Sequence, residues 1–447
     1  MRLLDTTSFE LRNGEQPTFR QEGYAILSHR WTGVEITFEE LKSHTAELRT
    51  AVGPLSSPQA DKIRGACETA RNQGIKWMWI DTCCINKASA TEESESINSM
   101  FKWYREARLC IAYLSDVKIN GRRASSNIFK RIYNDEPSEW FFRGWTLQEL
   151  LAPPDMQFYD MDWTYIGTKT DLAGSIARIT GIETRYLIGT ENFGEACIAA
   201  KMSWMAQRTT TREEDMAYSM VGIFGITMTP QYGEGQGAFM RLQEILLSTY
   251  RFDESLFAWK MPEPNAGAKF GARKDQWAAG EWGLLAASPE WFEGSGDILT
   301  IADQPGTRNF VMTPQGLRAP IQRPLYTGKI KTLDNLYGVL WTTFIGTIPA
   351  IIGFKYHIER LLNEKAKEDF AFALNCYRRN TGGKLENVEI YLRPTNVETV
   401  RYKHKVLPIS FVAKRIRCND LGLSLSSIIH GGERIVLQPR PSFPGRE

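Results

Sequence analysis

No block of lysine and arginine runs through these 447 residues: 54 basic side chains are balanced by 52 acidic ones, for a formal net charge of +2. Binding a polyanion needs a basic face, so nucleic acid is not expected as a partner. An apolar leader is missing as well. Met1-Arg2-Leu3-Leu4-Asp5 runs straight into polar residues and Glu10, which argues against a cleaved signal peptide. The seven cysteines, at 67, 83, 84, 110, 197, 376 and 418, include no C-x-x-C pair, and there are five scattered histidines. Disulfide scaffolds and zinc sites need more regular spacing, so a reduced, cytoplasmic protein without a metal centre is expected. The adjacent pair Cys83-Cys84 is poorly placed for an unstrained disulfide and reads as two small buried residues. There is no G-x-G-x-x-G fingerprint and no P-loop Lys-Ser/Thr. Gly233-x-Gly235-x-Gly237 therefore reads as a tight turn rather than a phosphate loop.

What is present is ordinary globular composition, 42% hydrophobic and 24% charged, with 13 tryptophans. The length predicts two or three domains. One stretch, Leu336 to Phe354, carries no charge and approaches the length of a membrane span. Its Gly, Pro and Thr residues favour a buried strand pair or core helix, and no membrane association is expected.

Strand-like and helix-like segments alternate through the first third of the chain. Tyr24-Ala25-Ile26-Leu27-Ser28 is a short apolar run closed by Ser28-His29-Arg30-Trp31. Ile63, Ala66, Cys67 and Ala70 then fall at helical spacing, with Gly74 suited to the left-handed position after a helix end. Trp77-Met78-Trp79-Ile80 is a second buried strand, ending at Asp81. Ile97, Met100, Phe101 and Tyr104 repeat the helical stripe. Leu109 to Leu114 is a third strand, ending at Ser115-Asp116, and Met156 to Tyr159 a fourth, with a helix over Asp171–Ile179 after it. Such alternation predicts an α/β domain: a parallel, flavodoxin-like sheet flanked by helices, with a polar cleft beyond the carboxyl ends of its strands. Residues 1–180 are assigned to it and 181–261 to a helical extension. Residues 262–447 are read as a mainly β C-terminal domain, with an apolar insertion near 331–368. In it, Val388-Glu389-Ile390-Tyr391-Leu392 follows the turn signal Asn380-Thr381-Gly382-Gly383.

Several segments in this order resemble the HET (heterokaryon incompatibility) family: Gly23-Tyr24-Ala25-Ile26-Leu27-Ser28-His29-Arg30-Trp31; Trp79-Ile80-Asp81-Thr82-Cys83-Cys84-Ile85-Asn86; and Arg143-Gly144-Trp145-Thr146-Leu147-Gln148-Glu149-Leu150-Leu151-Ala152-Pro153. Downstream, Thr210 to Met220 and Tyr232-Gly233-Glu234-Gly235 resemble the segment that usually follows. The resemblance implies a role in fungal vegetative incompatibility, a non-self response ending in regulated cell death. It also implies a TIR-like fold, since the family is regarded as a distant relative of TIR signalling domains. Some TIR domains cleave NAD at the nicotinamide–ribose bond with one glutamate, set in a short helix similar to Trp145-Thr146-Leu147-Gln148-Glu149-Leu150. The carry-over points to Glu149 as catalytic residue, with Thr146 where those helices have Cys. NAD enters as substrate, and no cofactor is implied.

A carboxylate suits that chemistry because positive charge builds on the ribose carbon as the N-glycosidic bond breaks. The other reading of Glu149 is a carboxylate bonded to Arg143 or Arg30 that holds its helix in place. Ser28 is expected to line the cleft as a ligand-binding residue, and His29 and Arg30 either recognise pyrophosphate or ribose at the strand end or form a salt bridge that orients the loop. Trp31 and Trp145 either flank a ligand or pack, and Asp81 either binds a ribose hydroxyl or caps the following loop. Two functions follow: a nucleotide-cleaving effector (an NAD+ nucleosidase), or a signalling module without enzymatic activity that works by self-association of the HET domain. Self-association is expected in both.

Overall fold

In this computed structural model the described residues are 1–13, 22–33, 35–43, 45, 48, 58–119, 128–271, 278–300, 311–313, 316–320, 369–402, 405–418, 420–424 and 434–437. The uncharged stretch 336–354 lies outside them. Among the described residues no helix is long and apolar enough to cross a membrane. The chain divides into two compact units, Met1–Ala196 with Ser203–Leu242, and Cys197–Met202 with Gln243–Glu447.

The first unit is built on a seven-stranded sheet. Its strands are β1 (Arg2–Asp5), β2 (Leu11–Asn13), β3 (Ala25–His29), β4 (Trp77–Trp79), β5 (Leu109–Tyr113), β6 (Met156–Tyr159) and β7 (Tyr165–Thr168), in the spatial order β2-β1-β4-β3-β5-β6-β7. The four strands expected from the sequence are neighbours, and β4–β3, β3–β5 and β5–β6 all pair in parallel. All five residues of β3 are buried, as a central strand covered on both faces requires. The sheet is mixed rather than wholly parallel, because β1 and β2 extend one edge and β7 the other in antiparallel sense. A connection of a few residues, as between β1 and β2 or β6 and β7, permits only the antiparallel arrangement.

Helices α1 (Phe38–Ser43), α2 (Pro58–Asn72), α3 (Asp81–Cys84), α4 (Ala90–Glu106), α5 (Thr146–Leu151) and α6 (Ala173–Thr180) fill the connections. The predicted stripes are buried: Ile63, Ala66, Cys67 and Ala70 on α2, and Ile97, Met100, Phe101 and Tyr104 on α4. Gly74, just past α2, adopts φ +68°, where a side chain is disfavoured. The order of the four parallel strands reverses direction between β3 and β5. Their carboxyl ends, Ser28-His29 and Tyr113-Leu114, form the switch point at which doubly wound sheets bind ligands.

The second unit contains an eight-stranded sheet in the order β8-β11-β12-β13-β15-β10-β9, with β14 on β12. Its strands are β8 (Ile298–Leu299), β9 (Val311–Thr313), β10 (Gly316–Pro320), β11 (Phe370–Arg379), β12 (Leu385–Tyr402), β13 (Lys405–Ile416), β14 (Gly422–Ser424) and β15 (Arg434–Leu437). All of its pairings are antiparallel except β13–β15. The β11–β12 hairpin turns at Asn380–Lys384, where Gly383 has φ +79° and Asn380 exchanges backbone bonds with Lys384 and Gly383. Trp291 meets Trp259 in a tilted and Trp282 in an edge-on arrangement, each at 5.0 Å, in the core.

Candidate functional site

At the carboxyl end of β3, Ser28 is fully buried and its hydroxyl donates to Glu149 Oε2 at 2.5 Å. The same hydroxyl accepts from Trp140 Nε1 at 2.9 Å. Trp140 is held by an aromatic cluster: its ring meets Phe141 at 5.0 Å and Phe158 of β6 at 5.7 Å. The last turn of β3 is thereby tied to the short helix α5. Tyr104, whose hydroxyl donates to the Leu27 carbonyl at 2.9 Å, is also within hydrogen-bonding reach of Glu149.

Glu149 is only 7% exposed. Burial pushes its carboxyl up, and the negative charge of Asp81 adds to the effect. Ser28, Tyr104 and the Arg208 guanidinium pull the other way, and the result is a pKa of about 8. Desolvation is thus the dominant effect. Arg208 responds in the opposite sense: burial lowers it to about 9, against the pull of Glu149.

His29 and Trp31 converge on Asp81, the first residue of α3. His29 Nε2 lies 3.0 Å from Asp81 Oδ1, and Trp31 Nε1 donates to Oδ2 at 2.9 Å. Burial raises Asp81, but the His29 contact, the Lys87 charge and the Trp31 N–H together hold it below the usual carboxylate range. Trp31 is 44% exposed, with Lys87 Nζ 3.5 Å from its ring centre. Arg30 does not meet Glu149. It pairs with Glu139 at 2.5 Å, in a cluster with Arg131 and Asp116 that holds the loop before Trp140. Arg143 also turns away, its guanidinium donating to Thr211. Neither arginine named in the structural reading of Glu149 is its partner.

The residues missed at the sequence level lie in the segment after α6. Gly144 N donates to Thr209 O and Thr209 N to Phe142 O, at 2.9 and 2.7 Å. These bonds lay Arg208 under α5, where its Nη1 donates to Thr146 Oγ1 at 2.9 Å and the Arg143 carbonyl at 2.8 Å. Trp145, half-buried, hydrogen-bonds Asp215. Tyr232 OH reaches the same carboxylate at 3.1 Å. The glycine turn is occupied from within: Gly233 and Gly235 N–H both donate to Glu214 Oε1, at 2.7 and 3.0 Å. That carboxylate takes the place an outside anion would need, which is the physical reason this turn is not a phosphate loop. Arg208 stands just ahead of the run Thr209–Met220, so the run was readable as helix capping, but the pairing with α5 is long-range.

The residues expected to share one site thus form two adjoining groups, Ser28–Glu149 and His29–Asp81–Trp31, with Arg30 and Trp145 directed to other partners. A cavity of about 920 Å³ in the first unit is lined by Arg2, Phe38, Trp79, Glu92 and Trp103 among others, and not by Glu149. Arg2 crosses it to pair with Glu92 and lies over Phe38.

Comparison with known proteins adds an independent line. Residues 24–136 match the family model "Heterokaryon incompatibility protein (HET)". The chain is also 36% identical, over 394 residues, to the vegetative incompatibility protein HET-E-1 of Podospora anserina. That alignment takes in 83% of this chain but spans only 28% of the relative's length. No solved structure matches.

Proposed function

We propose that this chain, which carries a HET domain, acts in vegetative incompatibility as a cell-death effector, and that its first unit cleaves NAD at the nicotinamide–ribose bond. The observation that carries the reading is the Ser28–Glu149 pair. It sets a carboxyl with a pKa of about 8 at the switch point of a doubly wound sheet. Such raised carboxyls cluster at functional sites.

In the proposed step the C–N bond to ribose breaks and its electron pair goes to the pyridinium nitrogen, so nicotinamide leaves neutral. Glu149, ionised, stabilises the ribosyl cation, which then takes the oxygen of water and releases a proton. A carboxyl that titrates near pH 8 suits this work, because the cationic ring of the incoming substrate favours its ionised form. On this reading Asp81, held ionised between His29 and Trp31, receives ribose hydroxyls, and the exposed ring of Trp31 meets a base.

One observation favours the second reading, a non-enzymatic module that signals by self-association. Glu149 is covered, and the large cavity of this unit lies elsewhere. The experiment that separates the two is expression of wild type and Glu149→Gln at equal abundance, with NAD content and cell survival followed together. The catalytic reading expects Glu149→Gln to abolish both NAD loss and killing. Killing at the wild-type level by the variant supports the self-association reading instead.

A further inference from the structure

We propose that Arg208 is a positioning residue: it fixes the register of α5 and supplies the buried positive charge against which Glu149 works as a carboxylate. The inference rests on the catalytic reading of Glu149 given above.

Arg208 is 4% exposed, and two of its three guanidinium nitrogens are hydrogen-bonded. Nε donates to the Trp204 carbonyl at 3.1 Å, and Nη1 to the Arg143 carbonyl at 2.8 Å and Thr146 Oγ1 at 2.9 Å. Thr146 Oγ1 in turn lies 2.6 Å from the Trp140 carbonyl. The guanidinium therefore clasps the first turn of α5 together with the residue whose indole holds Ser28. Thr146 and Glu149 are three residues apart on that helix, so their side chains lie on neighbouring positions of one face. A group fixed by Thr146 is carried to the Glu149 side. A threonine hydroxyl accepts this bond far better than the cysteine thiol of the related helices.

Nη2, the remaining nitrogen, is buried without a partner. A buried charged donor lacking an acceptor is unfavourable, so its retention calls for a physical reason. The groups that act on Glu149 come from every element around it: Ser28 from β3, Tyr104 from α4, Asp81 from α3, Cys110 from β5, and Arg208. Among them Arg208 is the cation. Without it, only the Ser28 and Tyr104 hydroxyls oppose burial and Asp81, so Glu149 stays protonated to higher pH, and a protonated carboxyl cannot stabilise a ribosyl cation.

The test uses the full chain and the pH dependence of NAD cleavage. Arg208→Gln removes the charge and is expected to move the rising midpoint of kcat to higher pH. Arg208→Lys keeps the charge but loses the planar fork, so kcat falls while the midpoint stays near that of wild type. Thr146→Val removes an acceptor and leaves the charge, and is expected to move the midpoint less than Arg208→Gln does. A folded Arg208→Gln with an unmoved midpoint overturns the proposal. If that variant does not fold, Arg208→Lys decides, and wild-type kcat and midpoint together overturn it. Should the wild type cleave no NAD, the catalytic reading fails by itself. The charge role is then judged from the Glu149 carboxyl titration, assigned by its absence in Glu149→Gln and followed by NMR in wild type and Arg208→Gln. The expected result is a higher midpoint in the variant, and equal midpoints overturn the proposal.

Discussion

Glu149 in the first unit and Glu254 in the second are both buried, 7% and 2% exposed, yet their carboxylates meet different partners. Glu254 Oε2 accepts the backbone N–H of Asn375 in β11 at 2.8 Å. Its neighbour Asp253 is likewise committed to the backbone, taking Ile198 N at 2.8 Å and Ser255 N at 3.0 Å. Glu149 receives side-chain hydroxyls, and beside it Arg208 Nη2 and both amide atoms of Gln148 are buried and unpartnered. A carboxylate bound to backbone N–H groups satisfies donors that would otherwise be orphaned, and that is a structural duty. A carboxyl held by hydroxyls beside unpartnered polar atoms stabilises the fold less, in keeping with the proposed role of Glu149.

The pH dependence of stability should separate the two sites most sharply. The folded chain holds Glu149 protonated up to about pH 8, whereas the unfolded chain releases that proton near pH 4.3. Between those values the folded state binds more protons, so stability contributed at low pH is lost as pH rises. Glu149→Gln lacks this loss. It should match wild type near pH 5 and exceed it at pH 8 by on the order of 4 kcal/mol, read from denaturant curves at the two pH values. Parallel curves would break the comparison. Glu254→Ala should act in the opposite direction. It strands the Asn375 N–H, and a loss of about 1–3 kcal/mol is expected at pH 7. A Glu254→Ala protein as stable as wild type would show that the backbone contact contributes nothing.

The contrast also explains what the sequence disclosed. β3, β4, β5 and β6 were legible because central parallel strands are continuous apolar runs, and α2 and α4 because their buried residues recur at helical spacing. β1 was not: Arg2 and Asp5 flank only two buried residues, Leu3 and Leu4, too short a pattern to read. Ser28 and Asp81 were singled out because they end strands, and Glu149 because its helix resembles that of the related family. The partner assignments were not readable. Arg143 lies near Glu149 in sequence and Arg30 at the end of β3, but the fold sends them to Thr211 and Glu139 and brings Arg208, 59 positions after Glu149, under the helix. Another buried cation shows how local environment decides such roles. Lys169, which burial lowers to about 8, donates to the carbonyls of Leu150 and Pro153 and so closes the other end of α5. Its ammonium serves the helix end, where positive charge is favoured.

The most direct test of the central claim is NAD consumption by the purified full chain at pH 8, comparing wild type with Glu149→Gln. The variant keeps shape and most hydrogen bonding but not charge, and losing one such group typically costs ~10²–10³ in kcat. The account predicts release of nicotinamide by wild type and a kcat lower by about that factor in a variant that is folded and binds NAD equally well. Equal rates for the two proteins, or no cleavage by wild type under conditions where it kills cells, would contradict it.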